Sequence, residues 1–153
     1  MNRLTIPSKS WILVCDGAKA LLFQNAGDGL ALNLKVAEVL HEPHPPTREM
    51  GTDRPGRAYD AMDGSRSSVE GTDWHQEAEA TFLRGIATKL DDLVRSRGLK
   101  ALIVVAPPKA LGILRDAVTP AVRAVLSAEI PKDLVKLPTL EIERHLAAMR
   151  ELP

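Results

Sequence analysis

The sequence contains little that would assign a function by composition alone. Its single cysteine, Cys15, rules out an intramolecular disulfide and fits a reducing compartment. Aromatic residues make up only 3% of the chain, which leaves few platforms for stacking nucleotide bases. The 20 Lys and Arg residues balance the 20 Asp and Glu residues, so no net charge draws the whole chain toward phosphate backbones or anionic membranes.

Long apolar runs are also missing. The first run, Trp11–Cys15, has five residues, whereas a signal-peptide core needs about 7–15 and a membrane span about 20. The run at residues 101–108 is again too short for either. We therefore expect a cytoplasmic protein that does not associate with membranes.

What is present is an ordinary globular balance, with 44% hydrophobic and 26% charged residues in a chain of 153. A chain of this length can bury a core without metal or disulfide support. We expect one domain spanning residues 1–153.

The chain opens with signals for three antiparallel strands. Apolar runs at 11–15 and 19–24 flank an Asp-Gly pair at 16–17, which predicts a hairpin whose turn has positive φ. Apolar and polar residues then alternate from Leu30 to Val36, which predicts a half-buried third strand ending near His41.

The second half of the chain favours helices and buried strands. Apolar residues at helical spacing from Ala78 to Val94 predict a long helix, capped at Thr72 or Asp73 and stopped by Gly98. The run at 101–106 shows no alternation, which is typical of a parallel strand covered on both faces. The remaining predicted elements are proline-opened helices near residues 109–118 and after Pro120, a strand over Val125–Ile130, and an amphipathic helix from Thr139.

Together these elements predict an α/β fold of three layers. The expected sheet is mixed and five-stranded, in the order 3-2-1-4-5, with helices on both faces. That order is ribonuclease H-like, and it keeps hairpin neighbours adjacent and the helical crossover right-handed.

The segment at residues 43–72 stands apart because it is rich in proline, glycine and charge and has few apolar residues. A long loop of this kind is usually functional or disordered. Its arginines could bind phosphate or carboxylate, or could pair with the aspartates beside them. The candidate binding residues in it are Asp53, Arg54, Arg57, Tyr59 and Arg66.

A ribonuclease H-like sheet invites comparison with two-metal nucleases, in which several carboxylates converge on the metals. Asp16 ends the first strand, as such a site requires, yet the hairpin turn also explains it. The predicted fourth strand contains no acid, and His41 and His44 match no known ligand spacing. We therefore predict no metal, no cofactor and no catalytic residue.

Several motifs resemble the bacterial host attachment protein family. They are WILVCDGA at 11–18, GTDRPGR at 51–57, APPKALG at 106–112 followed by Leu114-Arg115, and EIPKDL at 129–134. The resemblance covers nearly the whole chain. It implies a relationship to the middle domain of archaeo-eukaryotic release factors, a mixed-sheet α/β unit.

In release factors, the loop between the third strand and the long helix carries Gly-Gly-Gln into the ribosomal peptidyl transferase centre. The corresponding segment here, 43–72, contains no glutamine, and the nearest, Gln76, lies beyond it. The resemblance thus implies docking on RNA or the ribosome without release-factor hydrolysis. Asp16 and Lys109 are two further candidate site residues within the family motifs.

The sequence therefore favours a non-catalytic protein that binds RNA, the ribosome or another anionic partner through its Arg-rich loop. The family name implies a role in attachment to host cells, and the missing secretion signal makes that role indirect. Two alternatives stay open. One is a hydrolase acting on nucleic acid or peptidyl-tRNA with Asp16 and loop residues. The other is a regulatory module that binds another protein or a second copy of itself.

Overall fold

The sheet has five strands in the predicted order. The computed structural model describes residues 5–28, 31–41 and 64–149, with residues 64–73 described by their backbone. The strands are β1 (Trp11–Cys15), β2 (Lys19–Asn25), β3 (Leu34–His41), β4 (Leu102–Val105) and β5 (Leu126–Ile130). Their order across the sheet is β3-β2-β1-β4-β5, which confirms the expected topology.

Strand directions bring four strand ends to one side of the sheet. The pairs β1–β2 and β2–β3 are antiparallel, and β4 runs parallel to β1 and to β5. β1, β3, β4 and β5 therefore all end at the same side, which we call the carboxyl edge. His41 at the end of β3 pairs with Lys19, which directly follows the β1–β2 turn.

Four helices complete the described structure. They are α1 (Gly64–Arg97), α2 (Pro108–Ala117), α3 (Pro120–Val125) and α4 (Thr139–Met149). α2 and α3 each begin with a proline, which suits the first helical turn because the missing N–H would have no partner there.

The core is divided between the two faces of the sheet. Leu13 and Cys15 of β1 belong to a buried cluster shared with α1, α2 and α3. Ile12 and Val14 belong to a second cluster shared with α4. This alternation places helices on both faces and explains why β1 and β4 are apolar without interruption.

Helix α1 begins at Gly64, not at the predicted caps Thr72 and Asp73. The predicted loop boundary at residue 72 was therefore wrong, because extending a nucleated helix by further turns costs much less than starting one. Arg66 lies within α1 by its backbone. The other candidate residues of the loop, Asp53, Arg54, Arg57 and Tyr59, lie outside the described residues.

Strand β3 begins later than its alternation indicated, at Leu34, and it contains an irregularity. The pairing with β2 shifts between Leu22 and Phe23, so Phe23 pairs with Val36 and Leu22 with Glu38. Ala37 is thus an additional residue, as in a β-bulge. Leu34 is buried as expected, but Val36 remains 49% exposed at this edge of the sheet.

Candidate functional site

A cleft of about 380 Å³ opens at the carboxyl edge of the sheet. Its charged lining residues come from four separate segments: Asp16 after β1, Glu79 on α1, Lys109 on α2 and Lys136 after β5. In α/β sheets, ligands generally bind outside the carboxyl ends of the strands. The volume also falls within the range typical of small-ligand sites. This position makes the cleft the candidate functional site.

The carboxylate of Asp16 organises the turn that forms one wall of the cleft. Its Oδ1 accepts hydrogen bonds from the backbone N–H groups of Ala18 and Lys19, both at 2.9 Å. The Asp16 N–H donates to the carbonyl oxygen of Lys19 at 3.0 Å. Asp16 therefore has a structural role in the hairpin, as its sequence context suggested.

The turn differs from the prediction in its backbone conformation. Among the described residues, positive φ occurs at Lys9 and Gly98, so Gly17 does not adopt the left-handed conformation expected of an Asp-Gly turn. Its small size matters for another reason. A Cβ atom at position 17 would lie 2.7 Å from Cγ and 2.8 Å from Cδ of Glu79, so a glycine lets this side chain cross the turn.

The two lysines are the cationic groups of the cleft. Lys109 and Lys136 are both exposed, and no ion pair holds either of them within residues 5–28, 31–41 and 64–149. Lys109 lies in the first turn of α2, whose N-cap, Pro107, offers no side-chain hydrogen bond. As far as the described part of the chain extends, both ammonium groups are therefore available to a ligand.

The chemistry of the cleft is electrostatic. Across the described part of the chain, no three His, Cys, Asp or Glu side chains come together as metal ligands would. The two cleft carboxylates, Asp16 and Glu79, lie beside two ammonium groups, which suits an anion that also carries hydrogen-bond donors. Such a group would bind the lysines and be oriented by the carboxylates.

Aromatic side chains lie beyond the cleft on α1. Trp74 is 46% exposed, and its ring meets that of His75 edge to face with centroids 5.6 Å apart. Gly64 precedes Glu79 by 15 residues on α1, so the helix extends about 22 Å past the Gly17 turn. Trp11, the first residue of β1, is buried, with 6% exposure.

A larger groove, of about 500 Å³, lies between β3 and α1. Its lining is mainly apolar and includes Leu40, Phe82 and Ile86. It does not include Lys109 or Lys136, so it lacks the free cationic groups of the smaller cleft.

The structure brings together two residues that the sequence singled out separately, Asp16 and Lys109. It adds Glu79 and Lys136, which are not among the site residues predicted from the sequence. Glu79 lies in the middle of α1, because that helix begins at Gly64 and not near residue 73. Lys136 carries no sequence signal, because only the return of the chain after β5 brings it to the cleft.

These features define a class of protein: a mixed α/β sheet with helices on both faces and a charged cleft at the carboxyl edge. A family model described as "Protein required for attachment to host cells" matches residues 11–146. Because this match covers most of the chain, the protein belongs to the host attachment family. No curated protein sequence matches the chain.

Of the helices in the described ranges, none combines the length and the apolar composition needed to cross a membrane.

Proposed function

We propose that this host attachment family protein binds single-stranded RNA at the carboxyl edge of its sheet, as a non-catalytic cytoplasmic protein. Its role in attachment to host cells is then indirect. The observation that carries the proposal is the pair of exposed lysines, Lys109 and Lys136, at one cleft with no ion-pair partner in the described structure.

The two lysines of the cleft favour a phosphate ligand for an electrostatic reason. Each ammonium that neutralises a phosphate releases a condensed counterion, and this release drives binding to nucleic acid. Contacts to phosphate fix position without reading sequence. Lys109 and Lys136 therefore support binding to an RNA backbone, even though the chain as a whole has no net charge.

The Arg-rich segment supports this proposal because the described structure stops before it at the carboxyl edge. The chain leaves the sheet at His41, at the carboxyl edge, and resumes in α1 at Gly64. We propose that Arg54, Arg57 and Arg66 extend the cationic surface of the cleft. Asp53 and Tyr59 complete the proposed binding residues.

Exposed aromatics give the same end of the molecule a second mode of contact. Unpaired RNA bases stack on aromatic side chains, with a free-energy gain of about 1–3 kcal/mol per base. Trp74 and His75 lie on the turns of α1 that precede Glu79. They favour a single-stranded RNA over a duplex, whose bases are already stacked.

The resemblance to release-factor middle domains supports ribosomal RNA as the RNA that this protein binds. We propose that residues 1–153 form one domain related to that unit. Since the 43–72 segment has no glutamine, docking would occur without ester hydrolysis.

One observation favours the hydrolase alternative: Asp16 and Glu79 both line the cleft. Two carboxylates can act as general acid and base. However, Oδ1 of Asp16 is already held by two backbone N–H groups, which points to its role in the turn.

The test is fluorescence anisotropy with a labelled single-stranded RNA, titrated at 50 mM and 200 mM salt. Lys109→Ala/Lys136→Ala should weaken binding and reduce the slope of log K against log salt by about 1.4, as expected for two lost phosphate contacts on a single strand. The matched control, Lys9→Ala/Lys100→Ala, removes two exposed lysines that precede β1 and β4, at the opposite edge of the sheet, and should bind like the unsubstituted protein.

A second experiment tests the Arg-rich segment and the hydrolase alternative. Arg54→Ala/Arg57→Ala is tested in the same titration and by co-sedimentation with ribosomes, where we expect reduced binding. The RNA and a charged tRNA are checked for cleavage in Mg²⁺. Cleavage that is lost in Asp16→Asn would favour the hydrolase. Failure of the unsubstituted protein to bind RNA would refute the proposal.

A further inference from the structure

Strand β3 is an edge strand whose outer side pairs with no other described strand. It is long for an edge, running from Leu34 to His41. Two of its valines are exposed, Val36 at 49% and Val39 at 46%. Natural edge strands are usually short, charged or covered, because an exposed apolar edge is a template for another strand.

The exposed valines lie on one face of the sheet. Val36 pairs with Phe23 and Val39 with Leu21, and both partners belong to the cluster shared with α4. Residues that pair across strands face the same side. The α4 layer covers Phe23 and Leu21 but leaves these two edge valines uncovered.

The charges of β3 lie on the opposite face. Lys35 pairs with Gln24, and Glu38 pairs with Leu22 across the bulge. Gln24 and Leu22 are two residues apart, so Lys35 and Glu38 share the face of α1. Lys35 is exposed, and the Glu38 carboxylate lies 3.0 Å from Nζ of Lys89 at 35% exposure.

We propose that a second copy of the chain pairs antiparallel along β3, with the two-fold axis near Val36 and Ala37. This arrangement is isologous, so each contact occurs twice. It brings the valines of both copies together on one face. It also directs Lys35 of each copy toward Glu38 of the other, because the two charges lie on opposite sides of the axis.

Charge complementarity determines which direction of pairing is favourable and which strand would pair with β3. A parallel pairing in register would align Lys35 with its own copy and Glu38 with its own copy, which is unfavourable. A lysine on an edge strand discourages an arbitrary partner strand. A second copy supplies the matching carboxylate, and Glu38 would then accept from both Lys89 and the incoming Lys35.

The segment at residues 43–63 is less suited than a second β3 to pair with this edge strand. It contains four prolines, at positions 43, 45, 46 and 55. Proline has no backbone N–H to donate to a sheet ladder, and it is confined to edges and bulges. A second β3 contains no proline or glycine, so each of its residues carries a backbone N–H that a sheet ladder can use.

The decisive test is a charge-swap experiment monitored by sedimentation velocity from about 1 to 100 µM. The unsubstituted chain should form dimers. Lys35→Glu alone and Glu38→Lys alone each place like charges across the axis, and each should weaken dimerisation by about tenfold or more. An equimolar mixture of the two variants restores both attractive pairs and should form heterodimers.

Association of the mixed variants distinguishes pairing along β3 from an interface elsewhere on the chain. If the unsubstituted chain is monomeric throughout the range, the proposal is wrong. It is also wrong if either variant dimerises like the unsubstituted chain, or if the mixture associates no better than its components. Circular dichroism on each variant checks that the fold is intact, which matters most for Glu38→Lys because Glu38 is ion-paired to Lys89.

A second pair of variants tests the valine face. Val36→Lys/Val39→Lys should abolish the dimer. The control is Ala124→Lys, which replaces another exposed apolar residue, on α3 directly before β5, at the opposite edge of the sheet from β3. It should leave the dimer unchanged, and loss of the dimer in this control alone would place the interface elsewhere. The dimer-deficient variants should still bind RNA. Failure of the dimer proposal can therefore be distinguished from failure of the proposed function.

Discussion

The side chain of Glu79 crosses directly over Gly17, so that a Cβ atom at position 17 would lie 2.7 Å from Cγ of Glu79. This contact joins the middle of α1 to the turn between β1 and β2. Both residues also line the cleft. The glycine is thus required by close approach of a side chain, and not by positive φ.

Replacing Gly17 should therefore destabilise the protein through overpacking. Gly17→Ala would push against Glu79 and lower the free energy of unfolding by about 1–3 kcal/mol. In a Glu79→Ala background the cost should shrink but persist, since Cβ of residue 79 stays 3.0 Å from the added atom. Urea denaturation of the four proteins in this cycle measures the coupling. Equal costs in both backgrounds would show that Glu79 is not the obstacle.

Asn25 is the buried polar residue that holds the N-terminal segment and the β2–β3 connection together. Its Nδ2 donates to the carbonyl oxygens of Ile6 at 3.0 Å and Pro7 at 3.3 Å. Its Oδ1 accepts from the backbone N–H groups of Gly27 at 2.9 Å and Asn33 at 3.0 Å. Removing this side chain leaves several backbone groups without partners at a site that is 0% exposed.

Asn25→Ala should consequently lower the free energy of unfolding by about 3 kcal/mol or more, from unsatisfied backbone groups and lost bonds together. Thermal and urea denaturation measure the loss. The matched control is Asn33→Ala, which removes an exposed amide and should change stability by less than about 0.5 kcal/mol. Similar losses in both variants would contradict a specific role for Asn25.

Thr119 connects the start of α3 to α1. Its hydroxyl donates to Oδ1 of Asp91 at 2.7 Å and accepts from the N–H of Val122 at 3.3 Å. Thr119→Val keeps the shape and removes both bonds, so we expect a loss of about 1–2 kcal/mol in unfolding free energy. Thr119→Ser keeps the hydroxyl and should retain most of the stability. If serine is as damaging as valine, the methyl group and not the hydroxyl is responsible.

Cys15 should be unreactive in the folded protein. Burial raises the pKa of its thiol from the ordinary value of 9.0 to about 12, and the neighbouring Asp16 carboxylate adds to the increase. The thiolate is the nucleophile, so alkylation by iodoacetamide at pH 8 should occur only in denaturant. Mass spectrometry measures the modified fraction. Rapid alkylation without denaturant would show that the strand opens readily.

The same pKa shift gives a pH dependence with a definite sign. The unfolded chain releases the Cys15 proton near its ordinary pKa of 9.0, whereas the folded chain holds it until about 12. Its contribution to stability is therefore complete below pH 9 and is lost as the pH rises from about 9 to 12. Cys15→Ser should remove this part of the alkaline decline in urea denaturation series.

Local signals predicted the order and type of the elements, because each rests on neighbouring residues. The prolines before α2 and α3, the continuous apolar run of β4 and the periodic face of α1 all appear where the sequence placed them. The predicted sheet order followed from hairpin adjacency and crossover handedness. The start of α1 was mispredicted, because a capping pattern inside a helix is indistinguishable from one at its end.

The candidate site was only half predictable. Asp16 and Lys109 follow β1 and β4, so their approach at the carboxyl edge follows from two adjacent parallel strands. Glu79 and Lys136 come from α1 and the loop after β5, and their meeting with Asp16 depends on how these elements pack. No periodicity or motif records that packing.

The sequence by itself determined the family, the strand order and the residues of the core, since these depend on composition, local pattern and chain connectivity. Only the tertiary structure decided that Gly17 accommodates Glu79, that Lys109 and Lys136 share one cleft, and that Val36 and Val39 remain exposed. Those relationships join residues far apart in the chain, and they are set by the distances at which helices and strands pack.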